Sequence, residues 1–433
     1  MKYPNSYYNH SLDPHIDHPS LEAVVEADVC IIGGGLAGLT CALELAINGH
    51  KVVVLEAYKM AWGASGRNGG IVFPGFAQGQ DYLEQKLGLT AAKNLFDLSL
   101  EGVDIVRQNI QQYNLQSAAK TSGILSVIRY NDAANMQQYC QNMQVKYGYQ
   151  LDYIDQHNMS NYTATDKYYQ ANMDKQAFHF HPLNYCLAIA QQIIKHGGQM
   201  FEQSKVINMS LGGAEKTIIT SHGRVKAKHV VLCGGGYSGQ VFGKLQKSIL
   251  PVATYVITTQ KLGALAQQLI KTSAAIIDDR RAADYYRLID DDRILWGGRI
   301  TAKTAEPQKL AQLMQADMCH IYPELAQAKI EFAWSGLMAY ARHRMPYIGK
   351  FNSKTPSHNV WVCSAFGGHG MNTAPLGGRL IAEAIADGST RYQIFNNFKL
   401  QWNGGVFGPM AAQTTYLGMK IADWYKETSS RNK

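Results

Sequence analysis

The period of apolar and polar positions changes several times along this chain, and each change marks an element. Five residues from Asp28 read as a short apolar strand. A glycine-rich turn follows, Gly33-Gly-Gly-Leu-Ala-Gly38. The run Leu39 to Asn48 has helical character and stops at Gly49. A second apolar strand, Lys51 to Leu55, ends on Glu56. Strand, turn, helix and strand in this order predict a βαβ unit. Residues 81–150 read mostly helical, with Leu95, Leu98, Val103 and Val106 at helical spacing, and residues 151–180 read as loops with short helices. Pro182 suits the first turn of a helix that Gly197-Gly198 ends, which makes His181 a helix-start residue before a catalytic base. Short strands are expected at Lys205–Asn208, Lys216–Thr220, Arg224–Ala227 and His229–Cys233. Antiparallel strands are expected at Tyr255–Thr259, Asp284–Leu288 and Arg293–Ile300, with Asp290-Asp-Asp292 as a hairpin turn. Val360–Cys363 leads through a second glycine loop into a helix from about Ala374 to Asp387. In the tail, Met410, Leu417, Ile421 and Trp424 share one helix face. That face is expected to pack on the core or on a second copy of the chain, ahead of a membrane.

The first unit carries recognisable chemistry. Gly33, Gly35 and Gly38 fit G-x-G-x-x-G, and Glu56 lies 23 residues beyond Gly33. Gly33 permits the tight turn, Gly35 admits a pyrophosphate against bare backbone, and Gly38 lets helix and sheet pack closely. The helix N-terminus, at Leu36 and Ala37, offers N–H groups to phosphates. Glu56 can accept hydrogen bonds from ribose hydroxyls. A second loop, Trp62 to Gly70, has four glycines in nine residues. In it Ser65, Arg67 and Asn68 add polar groups, and Arg67 could grip a phosphate with a forked contact. Gly234 to Gly239 matches the glycine pattern again, but no βαβ unit follows, so it reads as a turn.

Composition narrows the class. At 433 residues, 46% hydrophobic and 17% charged, the chain is long enough for two or three domains. Its net charge of +8 comes from 41 basic and 33 acidic residues with no basic run, which argues against nucleic acid. Seven cysteines, none in C-x-x-C spacing, read as small buried hydrophobes in a reducing compartment. No metal-ligand spacing, secretory leader or transmembrane run is visible, so a cytoplasmic protein without metal or stable membrane insertion is expected.

The glycine loops taken together resemble the D-amino-acid oxidase superfamily of flavoproteins. Gly63-Ala-Ser-Gly-Arg-Asn-Gly-Gly70 resembles the subgroup containing gamma-glutamylputrescine oxidase. Ser6-Tyr-Tyr8, His179-Phe-His-Pro-Leu-Asn184, Asp284-Tyr-Tyr-Arg-Leu288, Trp334-Ser-Gly336, Gly367-Gly-His-Gly370 and Pro375-Leu-Gly-Gly-Arg-Leu380 extend the likeness along nearly the whole chain. The resemblance implies an α/β flavoenzyme with a Rossmann-like FAD domain from residues 27–80, 180–248 and 345–395. An antiparallel-sheet substrate domain of α+β type would come from 81–179 and 249–344. Residues 1–26 would be an arm and 396–433 an extension. It further implies that FAD meets Gly33, Gly35, Leu36, Ala37, Gly38, Glu56, Ala57, Ala64, Ser65, Arg67, Asn68, Gly69, Gly70, Val206, Gly234, Gly367, Gly368, His369, Gly370 and Met371. Tyr286, Arg287, Trp334, Arg344 and His369 are the candidates for catalysis or substrate anchoring. The stretch Trp334 to Arg344 lacks the cysteine through which some members bind FAD covalently, so a non-covalent flavin is expected. The implied reaction is oxidation of a small primary amine with O2 as acceptor. The alternatives are an amino-acid or secondary-amine dehydrogenase passing electrons to a quinone or partner protein, and a flavin subunit without catalysis of its own.

Overall fold

Val29, Cys30 and Ile31 are wholly buried, as are Val52–Leu55 beside them, so both faces of this sheet are covered. The computed structural model describes residues 2–280, 283–290, 292–351 and 359–431. Its first sheet runs in the order Tyr347–Lys350, Val360–Ser364, Arg224–Leu232, Val24–Ile32, Val52–Leu55, Gln199–Phe201. Neighbours in this order are parallel except at the Tyr347–Lys350 edge, and the strand Lys216–Ile219, itself paired with Asn208–Ser210, adds antiparallel to the start of Arg224–Leu232. The helix Leu36–Ile47 crosses between the first two βαβ strands and packs on the helices Pro182–Lys195 and Gly370–Ala386.

The second sheet has nine strands and is mainly antiparallel, ordered Ile330–Tyr340, Leu250–Thr259, Arg293–Thr301, Tyr285–Ile289, Ala275–Asp278, Thr121–Ile128, Gln170–His179, Ile71–Val72, with Asp152–Ile154 beside Gln170–His179. One face stands over the first sheet and shares an apolar core with it. The other covers a separate apolar core closed by the helix Leu310–Ile321. The α/β class with an antiparallel covering sheet is the architecture expected from the sequence.

Two local outcomes differ from expectation. The helix Leu89–Gln112, placed by sequence in the covering unit, shares its core with Leu36–Ile47, and a Cβ on Gly102 would strike the Asn372 carbonyl. The tail face does not pack on the core: Met410, Leu417, Ile421 and Trp424 are 65, 55, 66 and 65% exposed. Of the Asp290-Asp-Asp292 turn, Asp291 lies outside the described residues, while Asp290 at φ +50° accepts from the Tyr7 hydroxyl at 2.6 Å. All seven cysteines are free thiols. Among the described residues no helix is long and apolar enough to cross a membrane, and no three side chains are grouped to hold a metal.

Candidate active site

The Val24–Ile32 strand ends in a turn that only glycine fits. Gly33 has φ +115°, and a Cβ there would lie 2.9 Å from the Cys233 carbonyl carbon. A Cβ on Gly38 would overlap the Gly33 carbonyl oxygen, so the helix rests directly on the turn. Gly35 is extended, and a Cβ there would stand 3.0 Å from Ser65 Oγ. That hydroxyl accepts from the Leu36 N–H at 2.8 Å and thereby caps the helix from the second glycine loop. Other first-turn N–H groups, including that of Ala37, lack intrahelical partners by geometry. At the end of the second strand, Glu56 accepts from the Gly34 N–H at 2.7 Å and the Tyr58 N–H at 3.0 Å. Burial raises the Glu56 carboxyl, opposed by the N–H groups of Gly34, Tyr58 and Ala57. Its oxygens keep lone pairs for two ribose hydroxyls. A helix start without a Cβ at Gly35, together with this carboxylate, fits a dinucleotide. Val206 is buried nearby against Leu55 and Ile32, and Gly234 turns beside Gly33. A second buried carboxylate, Glu202, accepts from the Met60 N–H at 2.7 Å and lies 3.3 Å from Lys59 Nζ. It sits 146 residues from Glu56 and carries no sequence signal.

The loop Ala64–Gly70 is held from within and from the covering sheet. Asn68 Nδ2 donates to the carbonyls of Ala64 and Ser65, and Asn68 Oδ1 accepts from the Gly70 N–H. Arg67 does not present its fork to a phosphate. Nε and Nη2 donate to the Trp62 carbonyl, Nη1 donates to that of Ser335, and the guanidinium lies 4.1 Å over the Trp62 ring. Trp334 is buried, with Nε1 donating to the Arg67 carbonyl at 2.8 Å. Arg287 is likewise no substrate anchor. It is buried and donates to the carbonyls of Gly69 (2.9 Å) and Phe180 (3.0 Å), to the Tyr8 hydroxyl (3.2 Å) and to His179 Nδ1 (3.1 Å). It clamps the Ala64–Gly70 loop to the covering sheet and to the N-terminal arm.

Strand alternation decides which aromatic side chains face the cofactor. Tyr286 points away. It stacks on Trp296 at 4.2 Å and bonds the hydroxyls of Tyr168 and Tyr322 in the second core. Its neighbour Tyr285 faces Gly69, where a Cβ would lie 2.5 Å from the Tyr285 ring. On the strand Ile330–Tyr340 the even positions face the glycine loops. Trp334 and Gly336 meet Arg67, and Met338 and Tyr340 meet Gly368. A Cβ on Gly368 would lie 2.9 Å from Met338 Sδ and 3.1 Å from Tyr340 Oη. Sequence reasoning missed Met338, whose signal lay in its even register with Trp334.

Gly367 and Gly368 have φ +63° and +85°, and the Gly367 N–H donates to the Ala339 carbonyl at 2.8 Å. They deliver His369, Gly370 and buried Met371 to the start of the helix Gly370–Ala386. The His369 ring packs edge-on against Phe73, and Nε2 donates to the Pro74 carbonyl at 3.3 Å. Burial lowers its pKa to about 4, so it is neutral and points its Nε2 proton at a backbone oxygen. Arg344, at φ +58°, donates to Gln78 Oε1, and its charge acts on Tyr340 and Tyr416. The structure thus brings Tyr340, Arg344 and His369 to the Gly367–Gly368 turn. It places Tyr286 in another core and gives Arg287 and Trp334 to loop support.

Two further histidines are held neutral, His179 buried and His181 half-buried. His181 Nδ1 accepts from the Asn184 N–H and caps the helix Pro182–Lys195, the helix-start role expected of it. Burial, then Arg287, lowers His179 to about 3 and His181 to about 4. A histidine depressed in the folded state contributes stability that is present above its unfolded pKa of 6.5 and is lost as pH falls toward the folded value. At pH 5 that loss is about 2 kcal/mol for each such group. Asp279 and Asp284, raised to about 6 chiefly by burial, act in the opposite sense. The effect of one histidine is therefore read by difference. His181→Asn, which can still cap the helix, is expected to flatten the fall of the melting temperature between pH 6.5 and 4.5. An unchanged slope would show that His181 is not held neutral.

Comparison with known proteins defines the class. The family DAO, FAD dependent oxidoreductase, matches residues 28–384, and the chain belongs to it. It is an FAD-dependent oxidoreductase. Among curated proteins it is 32% identical to gamma-glutamylputrescine oxidoreductase of Escherichia coli K12 over 92% of both chains. It is 30% identical to the probable oxidoreductase OrdL of Haemophilus influenzae over 98% of this chain and 99% of that one. Among solved structures, glycine oxidase from Geobacillus kaustophilus superposes with a TM-score of 0.73 at 17% identity, covering 87% of this chain and 99% of that one. L-proline dehydrogenase from P. horikoshii superposes with a TM-score of 0.68 at 18% identity, covering 88% and 96%. These two bear on the fold.

Proposed function

We propose that the protein oxidises the C–N bond of a primary amine resembling gamma-glutamylputrescine. The imine product would be hydrolysed by water to an aldehyde and ammonia, and O2 would take the electrons as H2O2. Non-covalently bound FAD supplies the two-electron acceptor. The observation that carries the reading is the wall beside the Gly367–Gly368 turn. Met338, Tyr340, Phe73 and neutral His369 stand there, without a carboxylate among them, and with Arg344 adjoining. Such a wall disfavours an ammonium ion and presents the amine as its neutral, oxidisable form. Arg344 would hold a substrate carboxylate in a planar fork. The helix Gly408–Arg431 lies against the same edge through Gln413 and Tyr416 and would limit water access. The likeness to the Escherichia coli enzyme along nearly the full chain supports the choice of amine. Seven free thiols support a reducing, cytoplasmic setting.

Arg344→Gln is expected to raise KM for a carboxylate-bearing amine by about 10- to 100-fold. Flavin content should not change, and a simple diamine should be little affected. Steady-state kinetics on both substrates checks this, and an equal effect on the two would remove Arg344 as the anchor.

The second reading is a dehydrogenase for an amino acid or secondary amine, of the D-amino acid, glycine or sarcosine type, passing electrons to a quinone or partner protein. The exposed apolar tail face favours it. Slow oxygen uptake with fast dye reduction would select it.

A further inference from the structure

We propose that the N-terminal arm, residues 2–21, is a clasp that retains FAD by gripping the loop Trp62–Gly70 at both of its ends. FAD is the cofactor of the family, so the inference does not rest on the choice of amine. The arm has a single helical turn, Tyr7–His10, yet Tyr7, Tyr8 and Leu21 are buried. A terminal segment with so little regular structure keeps its place only where specific contacts tie it down. Here those contacts converge on the glycine loop and the elements that hold it.

The first grip is at the start of the loop. The Lys2 carbonyl accepts from Trp62 Nε1 at 3.1 Å, and the Tyr3 hydroxyl donates to the Met60 carbonyl at 2.8 Å. Met60 is wholly buried, its N–H donates to Glu202, and a Cβ on Gly34 would strike its sulfur. Through this one residue the arm reaches the turn proposed to meet the pyrophosphate. The second grip is at the far end. The Tyr8 hydroxyl accepts from Arg287 Nη2 at 3.2 Å, and Arg287 Nε donates to the Gly69 carbonyl. The Tyr8 ring also meets Trp334 edge-on at 5.7 Å, and Trp334 in turn holds the Arg67 carbonyl. Between and beyond the grips the arm is tied to both layers. Tyr7 donates to Asp290 at 2.6 Å, the Asp13 N–H donates to Asn184 Oδ1 at 3.2 Å, and the Leu21 N–H donates to Ser204 Oγ at 2.9 Å. A loop that wraps a ligand must open to release it, and the local cost of opening sets how often it does so. With the arm docked, neither end of this loop can swing away before the arm lets go. Linkage makes the effect reciprocal: if the docked arm favours bound FAD, bound FAD favours the docked arm.

The test is the rate of FAD release from the loaded protein, read as the rise of free-flavin fluorescence after dilution. Two variants are compared with the full chain: deletion of residues 2–11, and Tyr3→Phe with Tyr8→Phe, which keeps both rings and removes only the two hydroxyls. Release is expected to be at least about tenfold faster in the deletion and about three- to tenfold faster in the double variant, with circular dichroism unchanged. In the unaltered chain, added FAD is expected to slow chymotrypsin cleavage after Tyr3, Tyr7 and Tyr8 relative to the apoprotein. A role in folding alone would lower the melting temperatures of apoprotein and loaded protein equally and leave the release rate as it was, which would overturn the proposal. Cleavage of the arm at the same rate with and without FAD would overturn it too. Should the deletion fail to fold, the double variant and the cleavage of the unaltered chain decide the matter.

Discussion

Gly38→Ala is expected to yield a chain without flavin, most of it insoluble. The added Cβ would overlap the carbonyl oxygen of Gly33, in the turn that follows the first strand, and press on Cγ2 of the wholly buried Ile31 at 3.1 Å. Neither neighbour is the free end of a side chain, so helix and strand must separate. Overpacking of this kind costs about 1–3 kcal/mol. Here the displaced turn is also the one proposed to meet the pyrophosphate. Gly35→Ala is the informative companion. The backbone at Gly35, φ −83° and ψ 178°, suits any residue, so the fold should survive. The Cβ would crowd Ser65 Oγ at 3.0 Å and block the approach of phosphate. A folded protein with flavin affinity lowered about a hundredfold is expected, equivalent to about 2.7 kcal/mol. Flavin absorbance per folded chain, with circular dichroism as the control for folding, checks both. Full flavin content in Gly38→Ala would refute the close helix–turn contact.

Arg287→Leu is expected to lower stability by about 3–5 kcal/mol, because it leaves the carbonyls of Gly69 and Phe180 and the ring of His179 without their donor. The Tyr8 hydroxyl loses the same partner, so the N-terminal arm should loosen together with the flavin loop. Arg287→Lys should recover little, since one ammonium cannot span those acceptors. Denaturant unfolding of the flavin-loaded proteins measures the loss, and proteolysis near Tyr8 reports the arm. If Arg287 anchored substrate instead, KM would rise while stability stayed unchanged.

The geometry from Gly33 to Glu56 was legible because its parts lie close in sequence and each has a local cause. A turn at Gly33, an open helix start at Leu36 and an acid closing the second strand needed no knowledge of distant contacts. The active-site wall was legible only by segment. In Tyr285-Tyr286-Arg287 every residue is apolar or large, and both sheet faces are covered, so composition does not reveal which parity faces the flavin. A register shift of one residue exchanges Tyr285 for Tyr286. Arg67 and Arg287 looked like anion grips because sequence shows a guanidinium but not the carbonyls of Trp62, Ser335, Gly69 and Phe180 that it meets. Glu202 was invisible for the same reason. The tail was read correctly as one apolar face. Its exposure depended on Gln413, Asp423 and Glu427 all turning the other side inward, which the pattern alone does not specify.

The most direct test of the proposed function is anaerobic titration of the bound flavin with a panel of amines: gamma-glutamylputrescine, putrescine, sarcosine, glycine and D-amino acids. Rapid bleaching by gamma-glutamylputrescine or a similar primary amine, with full recovery of the flavin absorbance on admitting air, is the expected result. Bleaching by an amino acid or secondary amine alone, or by none of the panel, would contradict it.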